Sequence, residues 1–237
     1  MNLFPAIDLF NGKAVRLFKG DYDKMTVYSE NPIEIARDFE KCGAKFIHLV
    51  DLEGAKDGTT PNIKTVEKIA KESSLFTEIG GGIRSMDTIK RYLDSGVDRV
   101  ILGTAAVSDP DFLKMAVDTY KDKIAVGVDI KDGFVAIKGW VEKSQYDAFE
   151  FCEKMQLLGV KTIICTDISK DGAMQGTNRE LYKQLSEQFS VDITASGGVS
   201  SIDDVKALRA LDLYGAIIGK AYYIGAIDLK MALEAAK

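Results

Sequence analysis

A closed barrel of eight strand–helix units, the (β/α)8 or TIM barrel of the α/β class, is the fold that the sequence predicts, on three observations. The chain has 237 residues, a length that suits one large α/β barrel or two small domains. Short β-rich runs alternate with amphipathic helical segments, which is typical of βαβ units around a parallel sheet. Eight such units occur, as in a closed barrel, and the G-x-G-x-x-G pattern that an open doubly wound sheet usually carries is absent.

Eight segments are the predicted barrel strands, in the order "LFPAIDL", "KFIHLVD", "LFTEIG", "RVILGT", "IAVGVDI", "KTIICTD", "VDITAS" and "YGAIIG". Helices are predicted between them, for example over Pro32 to Cys42, Asn62 to Glu72, Met86 to Ser95 and Tyr146 to Leu158. Two segments interrupt the alternation, "GKAVRLFKGDYDK" after the first strand and "GFVAIKGW" after the fifth. We expect both to form hairpins or mobile loops on the face where barrels place their active sites.

Composition argues against several classes of protein. Hydrophobic residues make up 46% of the chain, which is enough for a substantial core. The formal net charge of −5 gives no global basic field that would attract nucleic acid or an anionic membrane. The N-terminal stretch "MNLFPAIDLF" lacks the features of a signal peptide, and no apolar run is long enough to span a membrane. We therefore expect a cytoplasmic protein that acts on a small molecule and binds neither nucleic acid nor membrane.

An internal repeat divides the chain into two halves. The turn "GGGIRS" (residues 80–85) has a counterpart in "SGGVSS" (residues 196–201), and further landmarks recur at the same offset of 116 positions. The matched pairs are Gly81 and Gly197, Gly82 and Gly198, Gly103 and Gly219, Asp51 and Asp167, and Asn62 and Asn178. Asp8 and Asp129 match at an offset of 121. The long period predicts one barrel over residues 1–237, built from half-barrels over about 1–120 and 121–237.

The repeated glycines lie where a barrel binds phosphate. They follow the third and fourth predicted strands and again the seventh and eighth, and the last two strands carry the usual phosphate site of this architecture. Backbone N–H groups at such turns, together with a helix N-terminus, favour an anion. We expect a ligand with two phosphates, one at each end; the alternative is that the glycines only permit tight turns. The residues expected to contact phosphate are Gly81, Gly82, Gly103, Thr104, Gly176, Gly197, Gly198, Gly219 and Lys220.

Two carboxylates are expected between the phosphate sites. Asp8 ends the first strand and Asp129 ends the fifth, so they face each other across the mouth of the barrel. Such a pair can serve as base and acid if its surroundings separate the two pKa values; the alternative is that each caps a loop or a helix. Thr166 ends the sixth strand and can orient a carboxylate or a substrate oxygen. His48 is the only histidine, and either the pocket or the core can accommodate it.

Loop residues complete the candidate binding site. Trp140 is the only tryptophan and lies in a polar loop, where it can stack on a planar ring or pack on the rim. Arg16 and Lys19 in the first loop can reach an anionic substrate, and Arg16 has the apolar flanks of a residue with a defined position. Asp51 and Asp171 are candidates for catalytic support or for loop structure.

The motifs resemble, from end to end, the ProFAR isomerase family of histidine biosynthesis, whose substrate is phosphoribosylformimino-aminoimidazole carboxamide ribotide. The segments that carry the resemblance are "FPAIDLFNGKAVRL", "HLVDLEGA", "GGGIRS", "VILGTAA", "VGVDI" with "KGW", "TDISKDGAMQGTN", "ASGGVSS" and "IIGKAYY". The resemblance implies a monomeric barrel of two half-barrels that performs an Amadori rearrangement without metal or organic cofactor. It also implies that Asp8 is the general base, Asp129 is the general acid that opens the furanose ring, Thr166 assists, and Trp140 stacks on the imidazole.

Two alternatives stay open at the level of sequence. The sister cyclase subunit of imidazole glycerol phosphate synthase shares the half-barrel repeat, but it typically reads "CLD", "VVKG" and "SGGAG" where this chain reads "AID", "AVRLFKG" and "SGGVS". A barrel that only binds a phosphosugar is the other alternative. It is disfavoured because a pure binder gains nothing from two carboxylates that face an anionic ligand.

Overall fold

Twelve β-strands form one sheet in the computed structural model, which describes residues 1–18 and 20–237, with the backbone alone at Phe18. The strands are β1 (Asn2–Phe10), β2 (Lys13–Phe18), β3 (Asp21–Ser29), β4 (Phe46–Asp51), β5 (Phe76–Gly80), β6 (Arg99–Leu102), β7 (Ile124–Lys131), β8 (Phe134–Ile137), β9 (Glu142–Asp147), β10 (Thr162–Asp167), β11 (Asp192–Ser196) and β12 (Gly215–Ile218).

Eight of these strands are parallel and close into a barrel. The order around the ring is β1, β4, β5, β6, β7, β10, β11 and β12, and β12 pairs again with β1 through Asn2 and Gly215. The predicted (β/α)8 fold and its eight strands are therefore confirmed. The fourth strand ends at Leu102, earlier than predicted, because Thr104 already begins a helix.

Helices separate the barrel strands in the described part of the chain. They are α1 (Pro32–Lys41), α2 (Leu52–Asp57), α3 (Ile63–Glu72), α4 (Met86–Asp94), α5 (Thr104–Ser108), α6 (Pro110–Tyr120), α7 (Ala148–Leu158), α8 (Arg179–Gln188), α9 (Ile202–Arg209), α10 (Lys220–Tyr223) and α11 (Leu229–Ala235), with a 3₁₀ turn at Lys121–Lys123. Helix α7 begins two residues later than predicted, because Asp147 ends β9 and caps the helix by accepting hydrogen bonds from the Phe149 and Glu150 N–H groups. No helix in the described residues is both long and apolar enough to cross a membrane.

Both predicted hairpins are present on the active-site face. Strand β2 runs antiparallel to β1, where Val15 pairs with Asp8, and β3 pairs in turn with β2. Strands β8 and β9 fold back in the same way on β7, where Ala136 pairs with Asp129. Each hairpin thus begins beside one of the two candidate catalytic carboxylates.

An apolar cluster fills the barrel and sets the depth of the mouth. Successive side chains of a strand alternate between its two faces, so residues two apart share a face. Ala6 of β1 and Ile164 of β10 belong to the buried interior cluster, and Asp8 and Thr166 lie one step further toward the C-terminal end on the same face. The polar residues of the mouth therefore stand directly above a closed hydrophobic floor.

Candidate active site

A cavity of about 300 Å³ lies at the C-terminal ends of the barrel strands. It is bounded by strand ends, by both hairpins and by the loop that follows β10. Most of the residues that the sequence nominates line this cavity: Asp8, Arg16, Gly81, Gly82, Gly103, Thr104, Asp129, Trp140, Thr166, Asp171, Gly197, Gly198, Gly219 and Lys220.

The two strand-end carboxylates lie on opposite sides of the mouth. Three strands separate β1 from β7 in either direction around the ring. The side chain of Asp8 is only 13% exposed, and its Oδ1 accepts a hydrogen bond of 3.0 Å from Nη1 of Arg16. Burial raises the pKa of Asp8, and the guanidinium of Arg16 opposes that rise because it stabilises the carboxylate.

Asp129 has different partners. Burial raises the pKa of its carboxyl, and side-chain hydrogen bonds from Thr166 and Trp140 oppose the rise. Thr166 is paired with Asp129 in the register of β7 and β10, which places its hydroxyl beside the carboxylate. Thr166 and Trp140 thus both contact the carboxyl group of Asp129.

The two hairpins make the environments of the carboxylates unequal. Arg16 follows the residue paired with Asp8, and Ile137 follows the residue paired with Asp129. A guanidinium therefore stands beside Asp8, whereas an aliphatic side chain occupies the matching position in the second hairpin. The guanidinium of Arg16 therefore stabilises the ionised form of Asp8, and the second hairpin places no equivalent cation beside Asp129.

Two further titratable side chains line the cavity near both carboxylates. Asp171 raises the pKa of Asp8 and of Asp129 by like-charge repulsion, and His48 lowers both. His48 therefore lines the pocket, which decides the alternative that its sequence position left open. Its Nδ1 lies 2.7 Å from Oε1 of Glu78, a fully buried carboxylate on β5.

Glu78 connects His48 to the base of the barrel. Its Oε2 accepts hydrogen bonds of 3.0 Å and 2.7 Å from Nε and Nη2 of Arg99. Arg99 also donates to the hydroxyl of Thr162 at 3.0 Å. Since Nδ1 of His48 contacts Glu78, Nε2 is the ring nitrogen left for the pocket.

The glycine turns pack against the backbone of the preceding βα loop. A Cβ on Gly81 would overlap the carbonyl of Asp51, and a Cβ on Gly197 would lie 2.7 Å from the carbonyl oxygen of Asp167. Both glycines also have positive φ values, of 115° and 91°. The turns therefore need glycine for their own packing, and this requirement is compatible with backbone N–H groups that face an anion.

Short helices begin directly after Gly103 and Gly219, the last glycine of each repeated set. Helix α5 follows Gly103 and α10 follows Gly219, and neither has a side-chain cap. By contrast, the neighbouring helices α4 and α9 are capped by Ser85 and Ser201. The first residues of α5 and α10 line the cavity, and no capping side chain accepts from their N–H groups.

Arg84 is a cavity residue that the sequence reasoning missed. It lies in "GGGIRS", and its guanidinium packs against Gly58 and donates at 3.4 Å to the carbonyl of Ala55. The repeat itself contained the signal, because the equivalent residue in "SGGVSS" is Ser200, whose hydroxyl donates to Asp204 instead. The two glycine-rich turns therefore differ by one cationic side chain.

Two of the predicted binding residues do not line the cavity. The side chain of Asp51 is fully buried and accepts hydrogen bonds from the Gly54 N–H, from Asn62 Nδ2 at 2.8 Å and from the Tyr92 hydroxyl at 3.3 Å. These contacts are those of a loop anchor, and Asp167 binds Asn178 in the same way in the second half. Gly176 packs beneath Gly198, and its N–H donates to the Ser200 hydroxyl.

Both mobile-loop candidates contribute to the mouth. The ring of Trp140 lies against Gly20 of the first hairpin, so the two hairpins meet above the cavity. Tyr22 of β3, which the sequence reasoning also missed, lines the pocket and donates to the Leu52 carbonyl at 2.8 Å. Lys19 lies outside the described residues.

Comparison with known proteins identifies the family of the chain. A model of the histidine biosynthesis protein family matches residues 2–228. The chain belongs to this family. The expected resemblance is thereby confirmed over nearly the whole chain.

Several curated relatives carry the name 1-(5-phosphoribosyl)-5-((5-phosphoribosylamino)methylideneamino) imidazole-4-carboxamide isomerase. The chain is 52% identical to the protein of this name from Brachyspira hyodysenteriae over 237 residues, all of both chains. It is 54% identical to that of Lactococcus lactis subsp. cremoris over 232 residues, 97% of this chain and 94% of the relative. It is 44% identical to that of Thermoanaerobacter pseudethanolicus over the full length of both.

Proposed function

We propose that the chain isomerises ProFAR to its phosphoribulosyl isomer by an Amadori rearrangement, the fourth step of histidine biosynthesis. The observation that carries the proposal is the pair of partly buried carboxylates, Asp8 and Asp129, facing each other across a cavity with a glycine-rich turn at either end. The name of the relatives describes a substrate with two phosphoribosyl groups and an isomerase activity, which supports the same assignment.

The two glycine regions bind the two phosphates of the substrate. The turns after β5 and β6 form one region, and those after β11 and β12 form the other, on the opposite side of the mouth. Backbone N–H groups at the starts of α5 and α10 contact phosphate oxygens. Arg84 adds a cation to the first region, and Lys220, held at 3.0 Å from the Gly172 carbonyl, adds one to the second.

Ring opening requires a proton on the furanose oxygen. Asp129 donates it, the C1–O bond breaks, and the lone pair of the glycosidic nitrogen forms a C1=N double bond. Burial keeps Asp129 protonated to higher pH than an exposed aspartate, and Ile137 in the adjacent hairpin leaves it without a guanidinium neighbour.

Enolisation requires the loss of a proton from carbon. Asp8 removes the C2 proton, and the electron pair forms a C1=C2 double bond while the iminium nitrogen is neutralised. The enolamine then loses its hydroxyl proton and gains a proton at C1, which leaves a ketone at C2 and restores the overall proton count. Arg16 keeps Asp8 ionised for the first of these transfers.

The remaining predicted roles belong to the same proposal. Thr166 orients Asp129, and Trp140 stacks on the imidazole ring once the loops close. Asp171, which influences the pKa of both carboxyl groups, supports the proton transfers. The reaction moves protons within one substrate and needs neither metal nor organic cofactor. We propose that the enzyme works in the cytoplasm as a monomer of two half-barrels, over about 1–120 and 121–237, and binds neither nucleic acid nor membrane.

Incubation of the purified protein with ProFAR in the absence of ammonia tests the proposal. Conversion to the aminoketose, followed by absorbance, is expected, and it should be lost in Asp8→Asn. If instead only the rearranged product is consumed, and only when ammonia is supplied, the protein is a cyclase. If the ligand binds and neither reaction occurs, the protein is a binding barrel and the mechanism is wrong.

A further inference from the structure

The backbone of Gly219 lies against the guanidinium of Arg16. A Cβ built on Gly219 would stand 2.5 Å from Nη2 and 2.9 Å from Cζ of Arg16, closer than real side chains approach. The two residues belong to different elements, because Gly219 follows β12 and Arg16 lies on β2 of the first hairpin. The absence of a side chain on Gly219 therefore leaves the space that the guanidinium occupies.

The repeat provides an internal comparison at Gly103. Gly103 and Gly219 have nearly the same backbone conformation, with φ and ψ of −100° and −104° in one and −107° and −108° in the other. A Cβ on Gly103 would have no atom within 4 Å. Whatever backbone strain an alanine suffers in this conformation is thus shared, whereas the three nearest atoms to a Cβ at Gly219 all belong to Arg16.

Arg16 has little freedom to yield to such a side chain. Its side chain is 14% exposed, and Nη1 lies 3.0 Å from Oδ1 of Asp8. Tyr223 of α10 donates at 2.8 Å to the carbonyl of Ala6, and its ring packs on that of Tyr28 at 4.7 Å, so the neighbouring wall is also fixed. A displaced guanidinium would lose its contact with Asp8.

We propose that Gly219 is a positioning residue for the base, because its missing side chain lets the Arg16 guanidinium pair with Asp8. This role is separate from phosphate binding, and its catalytic consequence rests on the proposed function. The other charged or titratable groups near Asp8 come from four elements and would stay in place: Tyr22 of β3, His48 of β4, Asp171 of the loop after β10 and Tyr223 of α10.

The test compares Gly219→Ala with Gly103→Ala. Loss of the guanidinium should raise the pKa of Asp8, so the acidic limb of the pH profile of kcat/KM should move upward in Gly219→Ala. An opposite charge at this distance typically shifts a carboxyl pKa by about 1–3 units, and we expect a shift in that range. Gly103→Ala should leave the limb at its wild-type position, although a weakened phosphate contact would raise its KM.

A double variant separates the proposed role from phosphate binding. In an Arg16→Met background, Gly219→Ala should move the acidic limb no further, because the group through which it acts is already absent. An additional shift in that background, or equal limbs in the two alanine variants, would overturn the proposal.

Crystal structures of both alanine variants give a readout that does not need turnover. We expect the hydrogen bond between Arg16 and Asp8 to be broken in Gly219→Ala and intact in Gly103→Ala. An intact bond in Gly219→Ala would overturn the positioning role even in an active enzyme. If the wild-type protein fails to convert ProFAR, the proposed function is wrong, while the crystal structures still decide the contact.

Discussion

The buried ion pair of Arg99 and Glu78 leads to a prediction about the stability of the folded chain. Glu78 also contacts His48, which lines the active-site cavity. The change is Arg99→Met, which keeps most of the side-chain volume and removes the charge. Arg99 is 4% exposed, Glu78 is fully buried, and Nη2 lies 2.7 Å from Oε2. Removing the guanidinium leaves the Glu78 carboxylate in the barrel with His48 as its remaining side-chain partner.

The magnitude follows from the distance and the burial. At an effective dielectric constant of about 20, two unit charges 2.7 Å apart attract by about 6 kcal/mol. Desolvation offsets part of this, and removing one member of a buried pair costs about 3–5 kcal/mol. For a chain of this length each kcal/mol corresponds to about 2–4 °C, so Tm should fall by about 6–20 °C. The three aromatic rings that surround Arg99, at 5.1 to 5.8 Å from its Cζ, lose a cation but still pack on methionine.

Thermal and chemical denaturation of three variants measure this effect. Lys114→Met is the matched control, because the ion pair of Lys114 with Asp118 is equally short at 2.7 Å but exposed, and its loss should be too small to resolve. A double variant, Glu78→Leu with Arg99→Met, should recover most of the stability because no unpaired charge remains. If Tm falls by less than about 2 °C in Arg99→Met, or if the double variant does not recover stability, the buried ion pair does not have the predicted effect on stability.

Three further predictions concern the mouth of the barrel. Thr166→Val removes a hydrogen bond that lowers the pKa of Asp129, so the acid should keep its proton to higher pH. The basic limb of the pH profile of kcat/KM should therefore move up by about 1–2 units, and an unmoved limb would show that Thr166 does not influence the acid. Asp51→Ala should lower the free energy of unfolding by at least about 2 kcal/mol in urea denaturation and should change KM by less than about twofold. A large rise in KM at unchanged stability would show that Asp51 contributes to substrate binding. Lys220→Ala should raise KM about tenfold or more in steady-state assays, and an unchanged KM would assign that phosphate to backbone groups alone.

The fold was predictable because two patterns in the sequence indicate it. Eight β-rich runs separated by amphipathic helices specify the strands, and the repeat offset marks the equivalent loops of the two halves. The ends of elements were less predictable. Leu102 ends β6 early because the next turn begins a helix, and Asp147 belongs to β9 because its side chain caps α7.

The candidate site was predictable where strand parity identifies inward-facing residues. Asp8 shares a face with Ala6 of the interior cluster, whereas Asp51 lies one residue beyond the inward-facing Val50 and so points toward the surrounding helices. Counting residues along β4 would have separated these two aspartates. The repeat treated them alike, because it marks structural loop anchors as clearly as catalytic groups.

Contacts between distant segments were beyond the reach of the sequence. The approach of Arg16 to Gly219 joins residues about 200 positions apart, and the position of Arg84 depends on how the loop after β4 crosses the turn after β5. Local preferences determine neither contact, because both arise only when the barrel closes. The same is true of the difference between Arg16 and Ile137, which distinguishes the two carboxylates.

The proposed mechanism depends on Asp8 removing a proton from the substrate. The most direct test of this role compares turnover with substrate binding in Asp8→Asn. Trp140 is the only tryptophan and lines the cavity, so its fluorescence can report binding of ProFAR in the same samples. We expect kcat to fall by about 10²- to 10⁴-fold while the dissociation constant for ProFAR stays within a few-fold of wild type. A variant that turns over at a near-wild-type rate would contradict this role.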